Sequence, residues 1–203
     1  MGGDLHPETL LLAYRQGIFP WPIEGAPTHT WFCPPERGIL EFRELHLPRS
    51  LEKFRKKQPY RFTFNQAFER IIQACAAAYR PGQPGTWITA EMKNAYLEFH
   101  HLGHAQSVEA WDEVGNLVGG LYGVMLEGVF AGESMFHLQP NASKLALLAL
   151  VDRLAAHGMT WMDIQVLTPH MESLGARLIA RDEFLEKLSA AQKHHAGGKP
   201  LRL

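Results

Sequence analysis

The sequence contains few cysteines and no excess of either charge. Its 203 residues include two cysteines, Cys33 and Cys75, which are too few and too far apart for a disulfide framework or a cysteine-rich zinc site. Lys and Arg number 20 against 21 Asp and Glu, so the formal net charge of −1 does not by itself indicate a polyanionic partner. Reduced thiols in a cytoplasmic protein are the simplest interpretation.

Long apolar runs and several well-known catalytic motifs are also missing. No run of about 18 apolar residues occurs, so no membrane-spanning helix is expected. The opening MGGDLHPETLLLAYRQG has neither the basic nor the apolar region of a secretory leader. There is no P-loop, no nucleophile elbow, and no GxGxxG in a usable context. His100, His101 and His104 lack the spacing and carboxylate support of a zinc site, and are better explained as helix-surface residues.

The residues that are present predict a mixed α/β (α+β) fold. With 46% hydrophobic and 20% charged residues, the chain can bury a substantial core. Apolar periodicity and breaker residues predict a small N-terminal module over 1–34 and an N-acetyltransferase-like domain over 35–203, with a partly antiparallel sheet. The predicted helices cover 7–16, 65–79, 89–102, 141–157 and 182–192. The predicted strands cover 28–32, 39–42, 105–111, 117–125, 128–136, 161–167 and a segment around Ile179.

The three consecutive predicted strands 105–111, 117–125 and 128–136 can form a meander. Glu133 is the most unusual residue within them. It follows Gly132 in the largely apolar segment LVGGLYGVMLEGVFAGESMF. A charged side chain is costly within an apolar sheet unless it has partners. Strand alternation allows Glu133 to point into water, or to face a cleft and bind a substrate ammonium or a backbone group.

A second polar pair lies in the segment WMDIQVL. Strand alternation predicts that Asp163 and Gln165 share one face, about 6–7 Å apart along the strand. A carboxylate accepts a proton, and an amide both donates and accepts hydrogen bonds. The same pattern is equally typical of a half-exposed edge strand.

Two further features have both a structural and a functional interpretation. Trp21 and Trp87 lie in Pro/Gly-rich loops, where an aromatic ring can stack on a base or simply cover the core. The segment 49–61 forms a local basic patch in which Glu52 is the single acidic residue. Such a patch indicates either a solvated helix face or a phosphate contact. The basic patch consists of Arg49, Lys53, Arg55, Lys56, Lys57 and Arg61.

Together, eight ordered segments of the sequence resemble the leucyl/phenylalanyl-tRNA–protein transferase family. They are GIFPWP, WFCPPERGIL, LPRSL, GTWIT, LVGGLYGV, GESMF, ASKLALL and MDIQVLTPHMESLGA. The resemblance implies transfer of Leu or Phe, and less readily Met, from aminoacyl-tRNA to an N-terminal Arg or Lys of a protein. It also implies a role in the bacterial N-end rule degradation pathway, no metal or dissociable cofactor, a cytoplasmic location and a monomer.

The resemblance also implies a role for each candidate residue. Asp163 and Gln165 match the positions assigned to activation of the attacking amine, and Glu133 matches a position that orients the reacting groups or the acceptor peptide. Trp21 and Trp87 match positions associated with the 3′-terminal adenosine of tRNA, and the basic patch matches a surface for acceptor-stem phosphates. The aminoacyl pocket is matched by Leu121, Phe130, Met135 and Met162.

Two of the pocket residues depart from the family pattern. Leu121 stands where methionine is familiar, and Met162 where isoleucine is familiar. These exchanges roughly conserve side-chain volume, so the pocket is expected to persist. A flexible thioether also adapts to both Leu and Phe.

Two other function classes fit parts of the pattern. An acetyl-CoA-dependent N-acetyltransferase would have a similar fold, but the helix start at QPNASK lacks the Gly/Ala-rich pyrophosphate loop of that class. A non-catalytic RNA-binding module would explain only the basic patch and the tryptophans. Replacing Asp163 by Ala distinguishes a transferase from an RNA-binding module, because a transferase would lose its activity while retaining most of its tRNA binding.

Overall fold

The computed structural model describes residues 3–21, 30–79, 86–195 and 203. Its helices are α1 Pro7–Arg15, α2 Arg49–Arg55, α3 Phe68–Ala77, α4 Ala90–His101, α5 Ala142–Ala156, α6 Pro169–Glu172 and α7 Arg181–His195. Its strands are β1 Phe19–Trp21, β2 Thr30–Phe32, β3 Glu36–Glu41, β4 Arg61–Phe64, β5 Ala105–Trp111, β6 Leu117–Leu126, β7 Val129–His137, β8 Trp161–Gln165 and β9 Arg177–Ala180.

Seven strands form one sheet in the order β4-β5-β6-β7-β8-β3-β9, while β1 and β2 form a separate antiparallel pair. Strands β5, β6 and β7 form an antiparallel meander, as the spacing of their turns predicted. Helix α5 then crosses over, so that β8 lies parallel to β7. The predicted mixed α/β class with a partly antiparallel sheet is therefore confirmed.

Helices cover both faces of the sheet because side chains alternate along its central strands. On β6, Leu121 and Met125 belong to an apolar cluster with α5. The intervening Tyr122 and Val124 belong to a second cluster, built with α1, α3 and α4. The near-continuous burial of β5 and β6 follows from this two-sided cover.

The glycines of β6 allow the helices to approach closely. A Cβ atom at Gly119 would lie 2.6 Å from Cβ of Ala142, at the start of α5. At Gly120 it would lie 2.4 Å from Cδ1 of Ile71, on α3. These two glycines therefore allow close helix packing on both faces of β6.

The structure also contains elements that the apolar pattern did not predict: β1, α2, β4 and α6. The helix predicted from residue 65 begins at Phe68, because Asn65 takes a left-handed backbone with φ of 59°. The strand predicted over 161–167 ends at Gln165, where φ is 61°. The helix predicted over 182–192 continues to His195, so the first three residues of the tail that was expected to be loose from Lys193 are helical. The rest of that tail, apart from Leu203, and the break expected at the Pro and Gly residues of 81–85 lie outside the described residues.

The N-terminal segment shares its core with the rest of the chain. Leu5, Leu10, Tyr14 and Phe19 belong to the apolar cluster that contains α3 and α4. The division into 1–34 and 35–203 stays a prediction. Within the described ranges, the helices are too short or too polar to cross a bilayer.

Candidate active site

A cavity of about 370 Å³ opens where β7 and β8 part. The two strands pair at a single register position, Ala131 with Asp163. Beyond that point, Gly132–Met135 of β7 and Ile164–Val166 line opposite walls of the cavity. Helices α5 and α6 contribute Leu147, His170 and Met171 to the lining. The cavity thus forms where the parallel strands β7 and β8 separate. Binding sites commonly lie beyond the carboxyl ends of parallel strands.

The structure brings all four predicted pocket residues into this cavity. Leu121, Phe130, Met135 and Met162 line it together. Leu121, Phe130 and Met162 are almost fully buried. The resulting surface is apolar and includes two thioethers, which suits an apolar side chain that is unbranched at Cβ.

Trp21 and Trp87 also line the cavity. Their rings are nearly parallel, at 12°, with centroids 6.1 Å apart. The two stacked indoles thus present a flat aromatic surface at the cavity, on which a base can stack.

Glu133 lies half-buried at the cavity and accepts hydrogen bonds from two elements. Its Oε1 accepts from the Tyr14 hydroxyl at 2.5 Å and from the Gln165 amide at 2.7 Å. Tyr14 in turn lies 2.5 Å from the Tyr96 hydroxyl, which lies 3.4 Å from Oε2 of Glu133. The predicted cleft-facing position of Glu133 is therefore the one that the structure adopts.

Burial raises the pKa of Glu133 from 4.5 to about 7. The hydrogen bond from Tyr14 lowers it, and the negative charge of Asp163 raises it further. The hydrogen bond from Gln165 and the charge of Arg37 lower it. Burial, together with the charge of Glu133, also raises the pKa values of Tyr14 and Tyr96, so both remain hydroxyl donors. Glu133 consequently changes protonation near neutral pH.

Asp163 has a different environment, although it lies two residues from Gln165. It is 3% exposed and forms a two-pronged ion pair with Arg37, at 2.9 and 2.6 Å. Its Oδ1 also accepts from the backbone N–H of Gln165 at 2.8 Å. Asp163 lines a separate narrow crevice of about 20 Å³, together with Tyr14, Gly17 and Arg37.

The predicted common face of Asp163 and Gln165 is wrong. Gln165 lines the cavity with Met162 and Ile164, the residues that alternation assigned to the opposite face. The left-handed backbone at Gln165, with φ of 61°, interrupts the strand and breaks the alternation. The two polar residues are joined by a backbone-to-carboxylate hydrogen bond rather than by a shared surface.

Arg37 is the residue that organises this interior. It is 1% exposed, and its guanidinium lies 4.4 Å from the Phe19 ring and 4.5 Å from the Phe184 ring. Its Nη1 donates to the Gly17 carbonyl at 3.0 Å. Burial alone lowers the pKa of Arg37, but the charge and hydrogen bonds of Asp163 outweigh that effect and raise it. Hydrogen bonds and aromatic rings thus fix the geometry of the Arg37–Asp163 ion pair.

Sequence reasoning missed Tyr14, Tyr96, Arg37 and His170. Both tyrosines have the spacing of ordinary core residues, and only the fold shows that they share a carboxylate. Arg37 did offer a signal, because a cation next to the apolar strand residues GILEF requires a buried partner. His170 lines the cavity, and its Nε2 is buried without a partner among the described residues. Burial lowers the pKa of His170, and the charges of Lys144 and His137 lower it further.

The predicted basic patch lies on α2, in the turn that follows it and at the start of β4, outside the cavity lining. Arg55 pairs with Asp152 of α5, and Lys56 pairs with Glu52 at 3.2 Å. Arg61 lies 5.9 Å from the Trp111 ring. Arg49, Lys53 and Lys57 are exposed and form no ion pair within the described part of the chain. Their role in phosphate binding stays a prediction.

Metal ligation finds no support among the residues that the structure describes. Across 3–21, 30–79, 86–195 and 203, no group of three or more His, Cys, Asp or Glu side chains could hold an ion. The polar groups of the cavity instead comprise one carboxylate, one amide, hydroxyls and an imidazole.

Comparison with known proteins identifies relatives along nearly the whole chain. The family described as leucyl/phenylalanyl-tRNA protein transferase matches residues 39–189, and its N-terminal domain matches residues 3–35. A leucyl/phenylalanyl-tRNA–protein transferase of Maridesulfovibrio salexigens is 48% identical, over 97% of this chain and 81% of its own length. The corresponding protein of Anaeromyxobacter dehalogenans is 50% identical, over 94% of this chain and 81% of its own. Among solved structures, a probable N-acyltransferase from Enterococcus faecalis is 11% identical with a TM-score of 0.45, covering 84% of this chain and 40% of that one.

Proposed function

Because the chain belongs to the leucyl/phenylalanyl-tRNA protein transferase family, and is thus an aminoacyltransferase, we propose that it moves Leu or Phe, and less readily Met, from aminoacyl-tRNA to proteins beginning with Arg or Lys. One observation carries this proposal. A single cavity combines an apolar pocket, a pair of tryptophans and a carboxylate–amide pair.

The apolar part of the cavity is the proposed site for the transferred side chain. Leu121, Phe130 and Met162 are nearly fully buried there, and Met135 and Met171 add flexible thioethers. A polar side chain would lose its water without gaining partners on these walls. The pocket therefore favours Leu, Phe and Met over charged or hydroxylated amino acids.

The tryptophan pair and the basic patch are the proposed contacts for tRNA. Trp21 and Trp87 offer stacking surfaces beside the pocket, where the terminal adenosine of an aminoacyl-tRNA has to lie. Arg49, Lys53 and Lys57 offer exposed cations for the acceptor stem. Both contacts read shape and charge rather than base sequence.

The carboxylate of Glu133 is the proposed contact for the acceptor. A protein N-terminus that begins with Arg or Lys carries an α-ammonium and a cationic side chain. Either cation is attracted to the one acidic side chain that lines the cavity among the described residues. The adjacent Gln165 amide orients the same group.

The substrate chemistry explains why this site can work with so few groups. The ester of an aminoacyl-tRNA is already activated, so the incoming amine attacks it directly and no enzyme nucleophile is required. The enzyme has to bind both reactants, orient the amine and accept a proton. We propose that Gln165 orients the amine and that Asp163 fixes Gln165.

A transfer assay tests the proposal. Wild-type protein is incubated with tRNAs charged with labelled Leu, Phe, Met or Val, each crossed with peptides that begin with Arg, Lys, Asp or Glu. We expect label from Leu and Phe, and less from Met, on the Arg and Lys peptides. No labelling of any peptide by charged tRNAs of verified activity would contradict the proposed function.

The resulting product fits a role in marking proteins for degradation. An added Leu or Phe replaces a basic N-terminus with a bulky apolar one, as the bacterial N-end rule requires. We propose that the reaction takes place in the cytoplasm, where charged tRNA is made. We propose a monomer, since the described residues form a complete cavity from one chain.

A further inference from the structure

We propose that Glu133 is the proton acceptor of the transfer reaction, and that the Arg37–Asp163 ion pair positions Gln165 without exchanging protons. This inference rests on the proposed function. It separates the tasks of Asp163 and Gln165, which the sequence resemblance assigned together to activation of the amine. It also gives Glu133 the proton, where the resemblance implied only an orienting role.

Asp163 is withdrawn from the substrate. It lines the narrow crevice and is absent from the lining of the main cavity. Oδ1 accepts from Nε of Arg37 and from the Gln165 backbone, and Oδ2 accepts from Nη2 of Arg37. Both carboxylate oxygens are thus already engaged in the interior, and breaking such a buried ion pair is strongly unfavourable. The role of Asp163 is therefore to hold the left-handed turn at Gln165.

Gln165 is an orienting group rather than a base. Its side-chain N–H donates to Oε1 of Glu133. Its side-chain carbonyl accepts no hydrogen bond from the residues that the structure describes. That oxygen is consequently available to accept an N–H of the attacking amine. A neutral amide does not take up a proton near pH 7, so the proton has to go to another group.

Glu133 is the group in the right place to receive it. Its Oε1 binds the same Gln165 amide that orients the amine, so the carboxylate and the amine share one corner of the cavity. The groups that face Glu133 are Tyr14 from α1, Tyr96 from α4, Arg37 from β3, and Asp163 and Gln165 from β8. Among the residues that the structure describes, Oε2 has only the long contact with Tyr96, at 3.4 Å, and so can accept a proton.

The acidity of Glu133 matches the acidity of its proposed donor. Burial raises the pKa of Glu133 to about 7. A protein α-ammonium has an ordinary pKa of about 7.7–8.0. The proton transfer is therefore nearly balanced, as effective acid–base catalysis requires.

The proposed sequence conserves protons and bonds. The α-ammonium of the acceptor gives one proton to Glu133, which frees the nitrogen lone pair. The nitrogen forms a bond to the ester carbonyl carbon, and the bond from that carbon to the 3′ oxygen breaks. A second proton passes from the nitrogen to the leaving 3′ oxygen. Glu133 then releases its proton to water.

Single-turnover transfer measured from pH 6 to 9.5 tests this assignment in four proteins: wild type, Glu133→Gln, Asp163→Asn and Tyr14→Phe. Leucyl-tRNA is the donor and an Arg-initiated peptide is the acceptor. Thermal unfolding at each pH verifies that every variant is folded. Binding of leucyl-tRNA is measured separately, so that loss of affinity is not mistaken for loss of rate.

We expect the wild-type rate to rise through about pH 7, the value for Glu133. Glu133→Gln should lose about 10²–10⁴-fold near pH 7. Its defect should shrink above pH 9, where the amine arrives already neutral. Tyr14→Phe should shift the rise to higher pH, because it removes a hydrogen bond that lowers the pKa of Glu133. Asp163→Asn should lower the rate. It should keep the pH-dependent rise, with a midpoint at the same or a lower pH, because the charge of Asp163 raises the pKa of Glu133.

Two outcomes would overturn the inference while leaving the proposed function intact. One is a Glu133→Gln defect that is equal at every pH, which would indicate a purely structural role. The other is loss of the pH-dependent rise in Asp163→Asn but not in Glu133→Gln. Absence of transfer by the wild type, in contrast, would count against the proposed function itself.

Discussion

Arg37 and Glu133 show two ways in which this interior accommodates charge. Arg37 is fully enclosed and is neutralised by Asp163, with two aromatic rings against the guanidinium. Glu133 has hydrogen bonds but no direct ion pair, so burial shifts its pKa towards neutrality. The first arrangement stabilises a fixed geometry, and the second produces a group that titrates.

Replacing Arg37 by Met should destabilise the fold strongly. The variant leaves Asp163 buried without its counter-ion, which costs about 3–5 kcal/mol in the free energy of unfolding. Arg43→Met is a matched control, because Arg43 is 78% exposed and pairs with Glu41 at 2.8 Å. An exposed pair contributes about 0–1 kcal/mol. Urea unfolding at pH 7.5 measures both variants, and equal losses would contradict the structural role assigned to Arg37.

Glu133→Gln should change how stability depends on pH. The folded-state pKa of Glu133 is raised from 4.5 to about 7, so between these values the folded protein keeps a proton that the unfolded chain releases. Wild-type stability should therefore fall, relative to the variant, as pH rises from about 4.5 to 7, and the difference should then stay constant. Urea unfolding at pH 5, 6, 7 and 8 measures the difference, and a constant difference across that range would contradict the raised pKa.

At the scale of elements, the cavity follows from the parting of β7 and β8. Crossover helix α5 makes these two strands parallel, and their pairing ends at Ala131 and Asp163. Apolar periodicity was sufficient to predict α5 and the β5–β7 meander, because these elements are long and their burial follows a simple pattern. It did not predict β4 or α2, because RFTF is short and the neighbouring charges conceal the single buried Leu51 of α2.

Alternation also failed at the end of β8, for a local reason. A left-handed residue at position 165 is uncommon for glutamine, and no rule of strand periodicity anticipates it. The Arg37–Asp163 pair joins residues separated by 126 positions, and the Tyr14–Glu133 bond joins residues separated by 119. Individual site residues could thus be proposed from motifs, but their partners depend on tertiary structure.

Helix α2 and the turn that follows it provide the element-scale test of tRNA binding. Lys53→Ala and Lys57→Ala should each weaken binding of leucyl-tRNA and reduce the slope of log affinity against log salt by about 1. Lys193→Ala is the control, because Lys193 is an exposed lysine near the end of α7. Filter binding between 50 and 300 mM salt measures the slopes. Slopes unchanged by both Lys53→Ala and Lys57→Ala would contradict the predicted phosphate contact.

At the scale of the whole molecule, the N-terminal segment completes the site. It supplies Tyr14 to Glu133, the Gly17 carbonyl and Phe19 to Arg37, and Trp21 to the cavity. The remainder of the chain supplies the sheet and the apolar pocket. A function that needs both an apolar pocket and an ordered polar network therefore depends on contacts between the N-terminal segment and the central sheet.

Whether this cavity binds the aminoacylated end of tRNA is tested most directly with adenosine that carries phenylalanine in an amide link at its 3′ position. Tryptophan fluorescence measures binding of this ligand. Such a ligand occupies the proposed pocket and stacking surface without reacting. We predict saturable binding by the wild type, at least about tenfold weaker binding by Trp87→Ala, and similar weakening by Met162→Trp, which fills the pocket. Lys193→Ala should bind as the wild type does. Equal affinity of all four proteins would show that the ligand does not occupy this cavity, and would contradict the account.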